Sequence, residues 1–168
     1  MSMKAIQDEH SQTLSKAIEL IWREATLLDH KRYDEWLKLW EPAGVYVVPI
    51  DRNAVDFENT LNYIYDDHNM RQKRVERMMD GTAGSVVDSA LTVRTVSRFV
   101  ELPLEDDAAI VAVSAAQILI AYKRGVGTIF AADVIYRIRA DQAEPLIEQK
   151  IVRLVNSMDT LNSIGFLM

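Results

Sequence analysis

Cysteine is absent from the 168 residues, and glycine (6), proline (4) and histidine (3) are all scarce. Without thiols the chain has no disulfide, no zinc held by thiolates, no iron–sulfur cluster of its own and no cysteine nucleophile. The compartment is not fixed by this, since a cytoplasmic protein can simply lack cysteine. The prolines are scattered at 42, 49, 103 and 145, so no Pro-rich or Gly-rich linker divides the chain. The histidines, His10, His30 and His68, lie far apart and form no H-x-x-x-H or H-x-x-E-H pair. An iron site of two histidines and a carboxylate would need tertiary coincidence. Positive charge is in deficit too: 19 Lys and Arg against 25 Asp and Glu give a net charge of −6, the opposite of a nucleic-acid-binding face. No apolar run reaches membrane-spanning length. The segment Met1 to Gln12 is polar and lacks the apolar stretch of a signal peptide. The expectations are therefore a cytoplasmic location, no nucleic acid and no membrane.

What is present is ordinary for a globular domain, with 49% hydrophobic and 26% charged residues. One domain over 1–168 is expected, with 1–11 as a flexible N-terminal tail. Leu14, Ile18, Ile21, Trp22, Ala25 and Leu28 recur at helical spacing, predicting an amphipathic helix over 12–29. Asp29 can end it or cap the next. Tyr33, Trp36, Leu37 and Trp40 predict a second helix over 31–41, stopped by Pro42 and Gly44. VYVVPI (45–50) and LNYIY (61–65) read as strands, and Asp66 or Asp67 as the N-cap of a helix over 67–79 that ends near Gly81 and Gly84. Beyond Leu91 the helical period is lost. Four segments follow, 91–104, 109–123, 128–140 and 146–156, broken by Glu105-Asp106-Asp107, by the hairpin turn Gly125-Val126-Gly127 and by 141–145. That pattern predicts an antiparallel meander of long, curving strands. The fold class is α+β.

Chemistry-bearing clusters are few. Asp66-Asp67-His68-Asn69 reads as a helix start rather than a metal site, because Met70 stands where a second acidic partner would be useful. Arg71, Lys73, Arg74 and Arg77, interleaved with Glu76, read as a solvated face or a protein contact. The three histidines are expected at a frayed terminus (His10), a helix junction (His30) and a partly buried site (His68). No serine sits in a G-x-S-x-G setting. Trp36 and Trp40 are expected in the core. Arg94 and Arg98 are placed on one face of a strand, where they either bind a carboxylate or meet solvent. Phe166-Leu167-Met168 is apolar and is expected to dock on its own domain or a partner.

Four blocks then carry a resemblance: EATLLDHKRYDEWLKLWEPAGVYVVP (Glu24 to Pro49), IYDDHNMRQKRVERM (Ile64 to Met78), VRTVSRFVELPL (Val93 to Leu104) and KIVRLVNSMDTLNSIGFLM (Lys150 to Met168). Together they resemble the small (beta) subunits of aromatic-ring-hydroxylating dioxygenases, departing from that pattern at Glu101-Leu102-Pro103. The resemblance implies a nuclear transport factor 2-like, cystatin-like fold: a curved antiparallel sheet with N-terminal helices forming a cone. It implies a mainly structural subunit with no catalytic, cofactor or metal residues of its own. The Rieske cluster and non-heme iron would lie in a large alpha subunit, its partner, with self-association as a trimer. Free-standing relatives of the cone superfamily use the interior as the pocket of a dehydratase or isomerase. On that alternative a base, Asp67 or His68, would work with Tyr33 or Tyr46 as hydrogen-bond donor.

Overall fold

The structure is a computed structural model that describes residues 3–80, 90–103, 107, 109–158 and 166–168. Among these residues, three helices precede or interrupt six strands: α1 (Met3–Asp29), α2 (Tyr33–Leu37), β1 (Trp40–Pro49), β2 (Asn62–Asp66), α3 (His68–Met79), β3 (Leu91–Leu102), β4 (Ile110–Lys123), β5 (Val126–Arg139) and β6 (Leu146–Leu154). The strands form one curved sheet in the order β2-β1-β6-β5-β4-β3. The fold is α+β, and the meander β3 to β6 is antiparallel throughout.

Several elements differ from the sequence expectation. The first helix starts at Met3 rather than at 12. Its buried stripe is Ala17, Leu20, Ile21, Glu24, Leu27 and Leu28, while Trp22 stands at the margin, half exposed. There its ring meets Phe99 edge-on and its Nε1–H reaches the Val96 carbonyl. The second helix ends at Leu37, and Trp40 already opens β1. Pro42 and Gly44 therefore lie inside a strand, where the register with β6 shifts between Trp40 and Val45. Gly44 is required there, since a Cβ would lie 2.9 Å from the Ile147 carbonyl oxygen. The sheet is also not wholly antiparallel: β1 runs parallel to β6, with Tyr46 beside Lys150. The β4–β5 turn is Arg124-Gly125 alone, both with positive φ (50° and 81°), as a two-residue hairpin twisted like its strands demands. Val126 and Gly127 belong to β5. Gly81, Gly84, Glu105 and Asp106 lie outside the described residues.

Alternation sorts the side chains into two faces. The concave face carries Val113, Ala115, Val134, Tyr136, Ile138, Lys150, Val152 and Leu154, all buried beneath α1 and α2. On the convex face, Arg52 pairs with Asp133, and Arg153 donates to the Arg52 and Ala54 carbonyls, which ties down the β1–β2 loop. In β3 a bulge between Ser97 and Val100 reverses the alternation, with Arg98 at φ 54°. Arg94 thus points into the concave side and Arg98 pairs with Asp133, so the two arginines do not share a face.

Candidate functional site

The polar groups that chemistry would need converge inside the curved sheet. Tyr46, Lys150 and Tyr136 stand side by side on β1, β6 and β5, and α1 lowers Glu24 onto them. The Lys150 ammonium donates to both Glu24 oxygens at 3.0 Å and to the Met168 carbonyl at 2.7 Å. Its nitrogen also lies 5.6 and 5.5 Å from the Tyr46 and Tyr136 ring centres. Glu24 accepts two further bonds, from Trp36 Nε1 at 2.9 Å and from the Tyr136 hydroxyl at 2.8 Å. The Tyr46 hydroxyl donates to the Met168 carbonyl at 3.2 Å and accepts the Met168 N–H at 3.0 Å. Lys150 and Glu24 are almost fully buried.

Burial pushes the Lys150 ammonium down to about 8, with the Glu24 charge opposing that fall. Burial likewise raises the Tyr46 and Tyr136 hydroxyls, helped by the nearby Glu24 charge. An ammonium has three N–H donors, and here all three have acceptors. The carboxylate takes four bonds from three side chains. The arrangement works as a closed clamp between α1, α2, three strands and the chain segment at Met168, rather than as a group poised for proton transfer.

Beside it, Asp29 at the end of α1 accepts from Thr92 Oγ1 at 2.9 Å and from the Arg94 N–H and Nε at 2.8 Å each, while Arg94 Nη2 donates to the Leu167 carbonyl at 3.0 Å. Leu167 and Met168 are buried in the main core, and Phe166 packs edge-on against Phe130. The apolar segment docks on its own domain.

Of the sequence candidates, Tyr33 and Tyr46 are buried in the core with Trp36 and Trp40. Asp67 and His68 are exposed, so His68 is not partly buried as expected. Asp67 caps α3 by accepting the Met70 N–H at 2.8 Å, whereas its neighbour Asp66 is buried and paired with Arg74. Arg71 departs most from a solvated face. It is buried, stacks 4.3 Å from the centre of the Trp40 ring and donates to the Gly44 and Asp66 carbonyls. Burial lowers its guanidinium to about 10. Sequence reasoning missed Glu24 and Lys150 as a pair. The signal was present: Glu24 lies three residues after Ile21 and four before Leu28 on the buried stripe, and Lys150 alternates with Val152 and Leu154.

The family model of ring hydroxylating beta subunits matches residues 23–160. The chain belongs to this family. For a ring hydroxylating beta subunit, likeness to solved structures is extensive although identity is low. The beta subunit of benzoate 1,2-dioxygenase from Burkholderia mallei ATCC 23344 is 22% identical, with 92% of this chain and 97% of that chain covered and a TM-score of 0.75. A structure of naphthalene 1,2-dioxygenase with indole bound in its active site is 16% identical over 100% of this chain and 95% of that one, TM-score 0.79. A putative scytalone dehydratase from Novosphingobium aromaticivorans DSM 12444 is 9% identical over 89% and 88%, TM-score 0.67. These likenesses show the fold, which is also that of an NTF2-like protein with a cystatin-like fold, from Novosphingobium aromaticivorans (13% identity, TM-score 0.64). A comparison with the curated proteins gives no match. Among the described residues of this beta subunit, no three His, Asp or Glu side chains are grouped to hold a metal ion, and no helix is long and apolar enough to cross a membrane.

Proposed function

We propose that this beta subunit is a non-catalytic, mainly structural component of a ring-hydroxylating dioxygenase. It assembles with a large alpha subunit that carries the Rieske cluster and the mononuclear iron, and it self-associates, as a trimer, in the cytoplasm. Its role lies in the breakdown of aromatic compounds. One observation carries the non-catalytic reading: the interior, which would have to hold a substrate, is occupied by the chain's own Leu167 and Met168, and its buried lysine and glutamate are saturated by internal partners. The absence of cysteine supports placing the iron–sulfur cluster in another polypeptide.

The test is co-expression with a large chain encoded beside it that contains C-x-H followed by C-x-x-H. Co-purification, and ring-hydroxylating activity that needs both chains, is the expected result. Failure to co-purify argues for the free-standing dehydratase or isomerase. In the reconstituted complex, the double variant Asp67→Ala/His68→Ala should keep its activity. Loss of turnover without loss of assembly would favour Asp67 or His68 as a base acting with Tyr33 or Tyr46.

A further inference from the structure

The segment Phe166 to Met168 sits in the interior much as a bound molecule would. Leu167 and Met168 share one core cluster with Trp36, Tyr46, Tyr136 and Leu154. Side chains hold its backbone. Lys150 and Tyr46 donate to the Met168 carbonyl, Tyr46 accepts the Met168 N–H, and Arg94 Nη2 donates to the Leu167 carbonyl. Three polar side chains, from β1, β3 and β6, thus converge on two residues inside an apolar wall. Small-molecule sites are built in this way, mostly apolar with a few convergent polar groups.

The donors outnumber what the segment supplies. The Arg94 side chain is 1% exposed, with Nε on Asp29 and Nη2 on the Leu167 carbonyl. Its Nη1 is buried with no hydrogen-bond partner. A guanidinium is a rigid planar fork, so Nη1 stands beside Nη2. A buried charged donor without an acceptor is costly. A molecule with a second oxygen next to the position of the Leu167 carbonyl would satisfy it. Charge narrows the class further. Lys150 is matched by Glu24, and Arg94 by Asp29, so an anion would be desolvated here with no spare cation to meet it. Phe166 is half-buried against Phe130, which puts the outer end of the segment near solvent.

We infer that the interior beneath Phe166 to Met168 is a binding site for an uncharged, apolar molecule with at least two acceptor oxygens, and that this segment is its built-in competitor. When the segment leaves, Lys150, Tyr46 and both terminal nitrogens of Arg94 face the ligand, while Glu24 and Asp29 keep the two cations neutralised. The competitor is tethered, so it acts at an effective concentration of about millimolar. The full chain binds only through the fraction of molecules whose segment is undocked, and apparent affinity falls by that fraction. This goes beyond the assembly reading above, since binding here needs no large subunit and no chemistry in this chain.

Methyl phenylacetate is the probe: an apolar ring, two ester oxygens and no charge. It is titrated at millimolar concentration into the full chain carrying isotope-labelled methionine methyl groups and followed by NMR. The Met168 signal, assigned by its loss in Met168→Leu, should move toward that of an exposed methionine such as Met158. Phe166→Ala removes the contact with Phe130 and loosens the segment, so it should tighten binding by roughly tenfold. Toluene, which lacks the oxygens, and phenylacetate, which is charged, should each bind about tenfold more weakly. A Met168 signal that stays in place up to the solubility limit of the ester overturns the inference. So does toluene binding as well as the ester, which leaves only an apolar void, or phenylacetate binding better, which makes this an anion site. Equal affinity in the wild type and a folded Phe166→Ala also sinks it, because the segment is then no competitor. If Phe166→Ala does not fold, the wild-type titration with the three probes still decides. All of these results are read on the purified chain, so failure to capture a large subunit leaves them untouched.

Discussion

Replacing Lys150 with methionine removes the cation that Glu24, the Met168 carbonyl and two tyrosine rings surround. It leaves the Glu24 carboxylate buried with only Trp36 and Tyr136 as partners, and such orphaned charges cost about 3–5 kcal/mol. Lys150→Met should lose stability on that scale in urea denaturation. Glu24→Gln/Lys150→Met should recover most of it, because the amide keeps an acceptor for Trp36 and Tyr136 and no charge is left behind. Equal losses in the single and double variants would mean that the pair is not coupled. The same lysine sets a pH dependence. Its folded value of about 8 lies below the ordinary 10.5, so between these values the unfolded chain binds more protons than the folded one. Stability then rises with pH across that window. Tyr46 and Tyr136 act in the opposite sense above about pH 10, where an unfolded tyrosine ionises and the buried ones do not. Denaturation midpoints from pH 7 to 11 should climb and then fall, and Lys150→Met should abolish the climb alone.

Among the elements, α3 is the one whose cap is simplest to test. Asp67→Ala removes the acceptor for the Met70 N–H and should cost about 1 kcal/mol, measured by chemical denaturation. Arg71→Ala should cost more, because its buried bonds to the Gly44 and Asp66 carbonyls hold α3 against the irregular start of β1. The element pattern was largely legible in the sequence. Loss of the helical period beyond Leu91 and the turn chemistry between segments announced β3 to β6, and Asp66-Asp67 announced the start of α3. Less legible was anything decided by a partner distant in sequence. Trp40 keeps helical spacing with Tyr33, Trp36 and Leu37, yet the backbone has left the helix by then, because pairing with β6 claims it. Nothing local to β1 says that its neighbour will be β6 in parallel. The bulge that turns Arg98 away from Arg94 is equally silent, since β3 alternates regularly up to Ser97. Glu24 and Lys150 were each readable as charges on apolar stripes, but only the fold brings the two stripes together.

For the molecule as a whole, the decisive feature is the sheet closing over its own chain. Leu167 and Met168 complete the core that Trp36, Tyr46 and Leu154 begin. Leu167→Ala should therefore destabilise by roughly 2–5 kcal/mol, the usual cost of emptying a core leucine site. In the folded fraction it should leave capture of the large subunit proposed above intact. If capture fell while stability held, the segment would be acting in assembly rather than in packing.

The clamp also bears on the order in which the molecule can form. Glu24 and Lys150 are separated by 126 positions, and Tyr46 and Met168 by 122. A nascent chain that has exposed only α1, α2 and β1 holds the Glu24 carboxylate with one partner, Trp36, but lacks Lys150, Tyr136 and the Met168 backbone that complete Glu24 and Tyr46. Native structure in the first half must wait for β6, which favours slow, late folding over stepwise growth from the N-terminus. Severing the chain between α3 and β3 would leave two pieces, each holding half of one core.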